Sequence, residues 1–240
     1  MKFNYYGFKA IYVHEMNRFL RTVGQSILSP VISTSLYFVV FGSVIGGYIQ
    51  KIDGVSYGSY IVPGLLMLTL LTQSISNTSF GIFFPKFNGT INEILAAPIS
   101  TLETVLAFVG AGATKTLIVG TVIYITATFF AEVTVEYPML MIFLLILVSF
   151  TFALFGFLIL VVSKSFAQMS IIPSLVITPM VFLGGSLSSL DMLPPFWHTV
   201  SYFNPVVYLI DGLRFSFYGI SDFNIWISVG SMVSFLVICV

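Results

Sequence analysis

Long stretches of this chain carry no formal charge, and that property limits what it can fold into. Residues 22–50, 54–85, 116–131, 137–163, 165–190 and 223–240 contain no Asp, Glu, Lys or Arg. A helix needs roughly 20 predominantly apolar residues to cross about 30 Å of hydrocarbon, so each interval holds one crossing and none has comfortable room for two. Nine basic and nine acidic residues make 8% of the chain, against about a quarter in soluble domains. Too few ionised groups exist to cover a globule. With 58% hydrophobic residues, the composition excludes a cytosolic enzyme, a secreted disulfide scaffold and a disordered chain. A nucleic-acid binder would show an excess of Lys and Arg, which is missing. Cys239 is the only cysteine, so neither an internal disulfide nor a cysteine metal cluster can form. The fold class that follows is an all-α membrane protein.

Six transmembrane helices are expected, at about 26–48, 60–84, 110–131, 138–162, 167–188 and 224–240. They form a single transmembrane domain over 1–240. Residues 1–25 precede the first span, 26–84 hold spans one and two, and 86–104 form an inner loop. Spans three to five occupy 105–188, an outer re-entrant segment 189–222, and span six 223–240. The sixth stops inside an apolar run with no basic tail, which reads as a truncated span. Orientation follows from Lys and Arg. An inside N-terminus puts Lys2, Lys9, Arg18, Arg21, Lys86, Lys115 and Lys164 within and only Lys51 and Arg214 outside. Lys115, one turn inside its span, is expected to snorkel to the headgroups. The first apolar run is too long and too far from the start for a signal peptide.

Three segments read as helices that do not span. Tyr5, Phe8, Tyr12, Met16, Phe19 and Val23 recur at three- and four-residue steps, with His14, Asn17, Arg18 and Arg21 opposite; Lys9 and Ile11 fall on the wrong faces. This pattern predicts an amphipathic helix lying along the inner leaflet. In the inner loop, Thr90–Glu93 and Ser100–Glu103 both fit a capping box, with Pro98 between them. They predict a short helix at 91–97 and a fresh helix running into the third span; the alternative is a plain turn. In the outer segment, Asn204 as N-cap, Pro205 at the first helical position and Gly219 past the end outline a helix of about fourteen residues, roughly 21 Å and too short to cross. Asp211 and Arg214 are three apart on it and able to pair. Phe196, Trp197, Tyr202, Phe203, Tyr208, Phe215, Phe217 and Tyr218 are expected at headgroup depth, a minority of them lining a substrate path.

No catalytic constellation assembles. His14 and His198 fall on opposite sides of the bilayer, and no carboxylate pair shares a span, so neither a catalytic nor a metal site is predicted. Gly110-Ala111-Gly112-Ala113-Thr114-Lys115-Thr116 suggests a phosphate loop, but that motif needs Gly immediately before Lys-Thr and a preceding strand. Any ATP must be bound by another chain. Gln73, Ser74, Ser76, Asn77, Thr78 and Ser79 make the inner half of the second span unusually hydrophilic. Gly42 and Gly46 have close-packing spacing in the first. For both, helix packing competes with a substrate path, for which Gln73, Asn77, Trp197 and Tyr208 are the candidates. Pro173, Pro179 and Gly184-Gly185 predict a bend in the fifth span.

Taken in order, these segments resemble the membrane subunit of ABC-2 type ABC transporters, in particular small bacterial inner-membrane permeases. The resemblance runs from Ser29-Pro30, Tyr37-Phe38 and Phe41-Gly42 through Tyr60-Ile61-Val62-Pro63-Gly64-Leu65 and Asn77 to Phe80. It continues with Glu93-Ile94-Leu95-Ala96-Ala97-Pro98, Phe182-Leu183-Gly184-Gly185, Leu193-Pro194-Pro195-Phe196-Trp197, Asn204-Pro205 and Asp211-Gly212-Leu213-Arg214. It implies the ABC-2 type fold: six spans, an N-terminal interfacial helix, a cytoplasmic coupling helix within 86–104 and outer re-entrant helices. It also implies an exporter: a permease dimer, two copies of a separate ATP-binding subunit that holds ATP and Mg, and no cofactor on this chain. The coupling contact would fall on Thr90, Glu93, Ile94, Leu95 and Pro98, with Glu93 foremost. Lys115 stands where such permeases often have Arg. The cargo would be hydrophobic, amphiphilic or glycan-type, moved outward across the bacterial inner membrane. The alternatives are a secondary transporter or channel not coupled to ATP, and a membrane enzyme.

Overall fold

The computed structural model describes residues 3–49, 51–163 and 165–240. Lys2 and Lys164, two of the positions behind the predicted orientation, lie outside them. In chain order the structure comprises α1 (Tyr5–Arg21), α2 (Val23–Ile45), a two-stranded hairpin of β1 (Lys51–Ile52) and β2 (Val55–Ser56), and α3 (Tyr57–Phe87). There follow α4 (Ile91–Ala96), α5 (Thr101–Ala127), α6 (Pro138–Val162) and α7 (Phe166–Leu183). The outer segment supplies α8 (Pro195–Tyr202) and α9 (Pro205–Tyr218), and α10 (Ile225–Cys239) closes the order.

Five of these helices, α2, α3, α5, α6 and α7, are long and apolar enough to cross a membrane. The predicted sixth crossing is shorter: α10 has 15 residues, roughly 22 Å of helix. Asp53 and Gly54 both take positive φ, 51° and 85°, which is the two-residue Asp-Gly turn that matches strand twist in a hairpin.

α3 is the centre of the bundle. Of its apolar stretch 78% is buried, against 11% for α2 and 22% for α7. Lipid tails are as apolar as leucine, so membrane helices associate by close approach and hydrogen bonding rather than by hydrophobic gain. Two glycines provide that approach. A Cβ on Gly156 of α6 would come within 2.6 Å of the Ile75 carbonyl oxygen, and Gly112 of α5 lies against Thr78. Ser79 Oγ donates to the Gly156 carbonyl at 2.8 Å. The hydrophilic half of α3 therefore divides by face. Ser74, Thr78 and Ser79 are buried at 1% exposure or less in the packing, whereas Thr72, Gln73, Ser76 and Asn77 remain partly open on the other side.

Both peripheral spans depart from α geometry, with π turns at Phe38–Ile45 in α2 and Ile172–Ile177 in α7. In α7 the π turn contains Pro173, which has no N–H to give the preceding turn; the Thr178 hydroxyl donates to the Pro173 carbonyl at 3.0 Å. Gly184 and Gly185 end the helix, Gly185 at φ 79°.

In the outer segment, α9 begins and ends at the residues the cap pattern names. Asn204 Oδ1 accepts from Val206 N at 3.0 Å and Gly219 takes φ 67°. Its last carbonyls, orphaned by the helix end, accept from the extended segment before α6: Glu136 N to Phe217 O at 3.1 Å and Tyr137 N to Ser216 O at 2.9 Å. This helix packs against α3, α6 and α10. Phe217 and Tyr218, expected in the aromatic belt, are consequently buried, at 0% and 8% exposure, and the Tyr218 hydroxyl donates to Ser59 O at 2.8 Å. Phe196, Trp197, Tyr202 and Phe203 do stay exposed.

Candidate functional site

The inner loop is built around one carboxylate. Ser100 and Glu103 form the reciprocal capping box: Glu103 N donates to Ser100 Oγ at 3.3 Å and Ser100 N to Glu103 Oε2 at 2.8 Å. The other oxygen of Glu103 reaches a different helix, accepting from Asn4 N at 2.6 Å. Asn4 in turn caps α1 by accepting from Gly7 N at 3.1 Å and donates from Nδ2 to the Pro98 carbonyl at 3.0 Å. Ile99 packs directly over Gly7, where a Cβ would lie 2.6 Å from its side chain. The start of α1, the end of the inner loop and the start of α5 are thereby fastened together.

The other predicted box does not form. Thr90 already has helical φ and ψ, −63° and −17°, and its side chain makes no capping bond. A hydroxyl reaches the third amide only from the extended conformation; here Glu93 N bonds the Thr90 carbonyl instead, at 3.1 Å. α4 itself has no buried residue. Ile91 and Ile94 pack against a cluster that includes Ile11, Ile82 and Phe108, whereas Glu93 is exposed and Leu95 is 71% exposed. Ile94, grouped with the contact residues by the sequence, is thus an anchor.

Beside this loop, α1 carries a buried ionic group that corrects two expectations. Lys115 does not snorkel: it is 3% exposed, and Nζ donates to Glu15 Oε2 at 2.8 Å. Arg18 Nη2 donates to the same oxygen at 2.8 Å, and Nη1 to Gly81 O at 3.3 Å. Gly81 admits them, since a Cβ there would lie 3.0 Å from Glu15 Oε2. Glu15 Oε1 is buried with no hydrogen-bond partner among the described residues. The buried stripe of α1 is Ile11, Glu15 and Phe19, so Ile11 belongs to the packed face and Arg18 is turned partly inward. Glu15 was missed because an acid inside an amphipathic helix reads as solvated. Its spacing of four from both Ile11 and Phe19 was the available signal.

The open face of α3 borders three cavities. One of about 550 Å³ is lined by Arg18, Lys115 and Asn77, by the polar Thr22, Gln25 and Ser26, and by aromatic side chains. A second, of about 200 Å³, lies between α2 and α3 and includes Gln73. A third, of about 300 Å³, lies between α3 and α7, where Thr72, Ser76, Ser170, Ser174 and Thr178 present hydroxyls. Asn77 Nδ2 also donates to Thr116 Oγ1 at 3.3 Å. Trp197 and Tyr208 line none of these three cavities. Trp197 is 44% exposed and rests edge-on against Phe196, and the Tyr208 hydroxyl donates to Tyr202 O at 2.9 Å.

Asp211 and Arg214 are both buried, at 2% and 3% exposure, and have separate partners. Asp211 accepts from the backbone of Asp222 at 2.7 Å and of Phe223 at 3.3 Å, holding the turn before α10. Arg214 donates to Gly185 O and lies over the Tyr60 ring, 4.0 Å from its centroid. No ion pair joins them among the described residues. Two backbone amides and one aromatic face are nearer than the partner three residues along.

A bundle of long apolar helices around a polar-faced central span, with a short exposed helix in one loop, defines a multi-pass membrane protein. The chain belongs to the ABC-2 type transporter family, whose pattern it matches over residues 6–218. Among its relatives is the inner membrane transport permease YadH of Escherichia coli strain K12, 38% identical over 229 residues, covering 95% of this chain and 90% of the relative. Another is nodulation protein J of Rhizobium leguminosarum bv. viciae, 25% identical over 218 residues, covering 89% of this chain and 83% of the relative. Membership makes this chain a membrane subunit of an ABC transporter.

Proposed function

We propose that the chain is the permease half of an ATP-driven exporter of the bacterial inner membrane. In this reading two copies work with two copies of a separate ATP-binding subunit, which holds ATP and Mg, and the chain itself binds no cofactor. It moves a hydrophobic, amphiphilic or glycan-type molecule outward. The observation that carries the reading is α4: a six-residue helix with nothing buried, seated by Ile91 and Ile94 and presenting Glu93 and Leu95 outward. Through Pro98, Asn4 and Glu103 it is continuous with α1 and α5. A push on α4 would therefore reach two helices at once. Lys9, Arg18 and Arg21 belong to α1, whose start is fastened to the inner loop, and Lys86 lies at the end of α3 next to α4, which supports a cytoplasmic N-terminus. The sparsely buried faces of α2 and α7 suit a second copy, and α10 would complete the bundle as its sixth, short crossing.

The test is purification of the tagged chain from its native membranes in mild detergent. A stoichiometric partner with ATPase activity is the expected result. A preparation free of any nucleotide-binding chain, under conditions that keep other membrane complexes together, would return a carrier or channel to the front.

A further inference from the structure

The cavity of about 550 Å³ beside α1 has a charge that its own walls do not balance. Its volume lies within the roughly 300–1,000 Å³ of small-molecule sites. Two cations line it, Arg18 and Lys115, and a single carboxylate oxygen of Glu15 serves both. An ammonium has three donors and a guanidinium five; Glu15 Oε2 takes one from each, and the Gly81 carbonyl takes one more from Arg18. Among the described residues, no acidic side chain lines the cavity. One surplus positive charge therefore faces a half-open cavity at the edge of a membrane bundle, where an unpaired charge is costly.

The rest of the wall identifies what would pair with it. Asn77 adds a neutral polar group near the cations, and Phe80, Phe84 and Phe166 form an aromatic side, Phe80 stacked on Phe166 at 5.0 Å between centroids. A corner rich in cationic donors suits phosphate oxygens, and the aromatic side suits hydrocarbon. We propose that this cavity binds an amphiphile with an anionic, phosphate-type head, the head at Arg18, Lys115 and Asn77 and the chain along Phe80, Phe84 and Phe166. The same chemistry describes a resident anionic phospholipid and a transported one. Only the transported case rests on the exporter reading.

Retention of lipid by the purified full-length chain tests the binding. Native mass spectrometry after addition of phosphatidylglycerol, or of phosphatidylcholine with the same chains, should show phosphatidylglycerol retained about ten-fold more strongly, the scale of one charge-assisted hydrogen bond. Arg18→Gln, at the more exposed of the two cations (33% against 4% for the side chains), should abolish that preference. Asn77→Leu, which leaves the ion pairs untouched, should reduce it. Equal retention of the two lipids by the unaltered chain, or an undiminished preference in both variants, would overturn the proposal. To separate the sources, head-labelled phosphatidylglycerol is followed in vesicles holding the chain and its co-purified partner. ATP-dependent transfer between leaflets marks cargo, and retention without transfer marks a resident lipid. Failure of the exporter reading leaves the retention measurement unaffected.

Discussion

Glu15 is one carboxylate with two cations on the same oxygen and almost no contact with water. Removing a partner from a buried ionic group leaves the remaining charge uncompensated, at a cost of about 3–5 kcal/mol. Glu15→Ala strands two cations and should lower thermal stability in detergent by about that amount. Lys115→Met leaves Glu15 paired with Arg18 and should cost clearly less, and the double variant should fall short of the summed single effects because the two residues are coupled. Melting curves followed by size-exclusion chromatography would read all three; strictly additive losses would mean that the contact contributes little. The sequence puts Lys115 one turn inside the third span but does not pair it, because its partner lies 100 residues away on a helix whose packed face is about one position off the one its apolar spacing predicts. No local pattern records that separation.

Element by element, caps and interruptions were legible and contacts were not. α9 starts at Asn204 and Pro205 and ends at Gly219, as local turn chemistry predicts; the Ser100–Glu103 box forms and the Thr90–Glu93 box does not. The two motifs are equivalent as sequence, and the difference lies in the backbone leading into them, extended at Ser100 (ψ 155°) and helical at Thr90 (ψ −17°). Ser100→Ala should therefore destabilise the start of α5 by about 0.5–2 kcal/mol, seen as faster hydrogen exchange of the first-turn amides, whereas Thr90→Ala should leave the exchange of α4 unchanged. Helix packing makes a sharper prediction. Gly156→Ala puts a methyl group against the Ile75 carbonyl and should cost about 1–3 kcal/mol. Gly230→Ala in α10, where nothing lies within 4 Å, should be neutral or stabilising by up to about 1 kcal/mol. Equal melting temperatures for the two variants would show that α3 and α6 do not hold the close approach seen between them.

Across the whole molecule, α4 joins the bundle through few contacts, and that gives its residues separable roles. Glu93→Ala and Leu95→Ala alter exposed side chains and should leave insertion and melting temperature unchanged while reducing recovery of the co-purifying ATPase. Ile94→Ala removes an anchor and should lower the melting temperature as well. If all three variants behave alike, α4 is a structural loop and the docking surface lies elsewhere. The class of the molecule and the existence of its five long apolar helices followed from the sequence alone. Desolvating a charge in hydrocarbon is so costly that the placement of eighteen charges separates the long apolar helices, and the caps at Asn204 and Ser100 are local side-chain chemistry. Which polar residues of α3 pack and which stay open, where Glu15 and Lys115 meet, and why Asp211 and Arg214 do not, only the tertiary structure decided. Those outcomes depend on which helix lies against which face, and helices that lose nothing to lipid leave little periodicity in the sequence to record their neighbours.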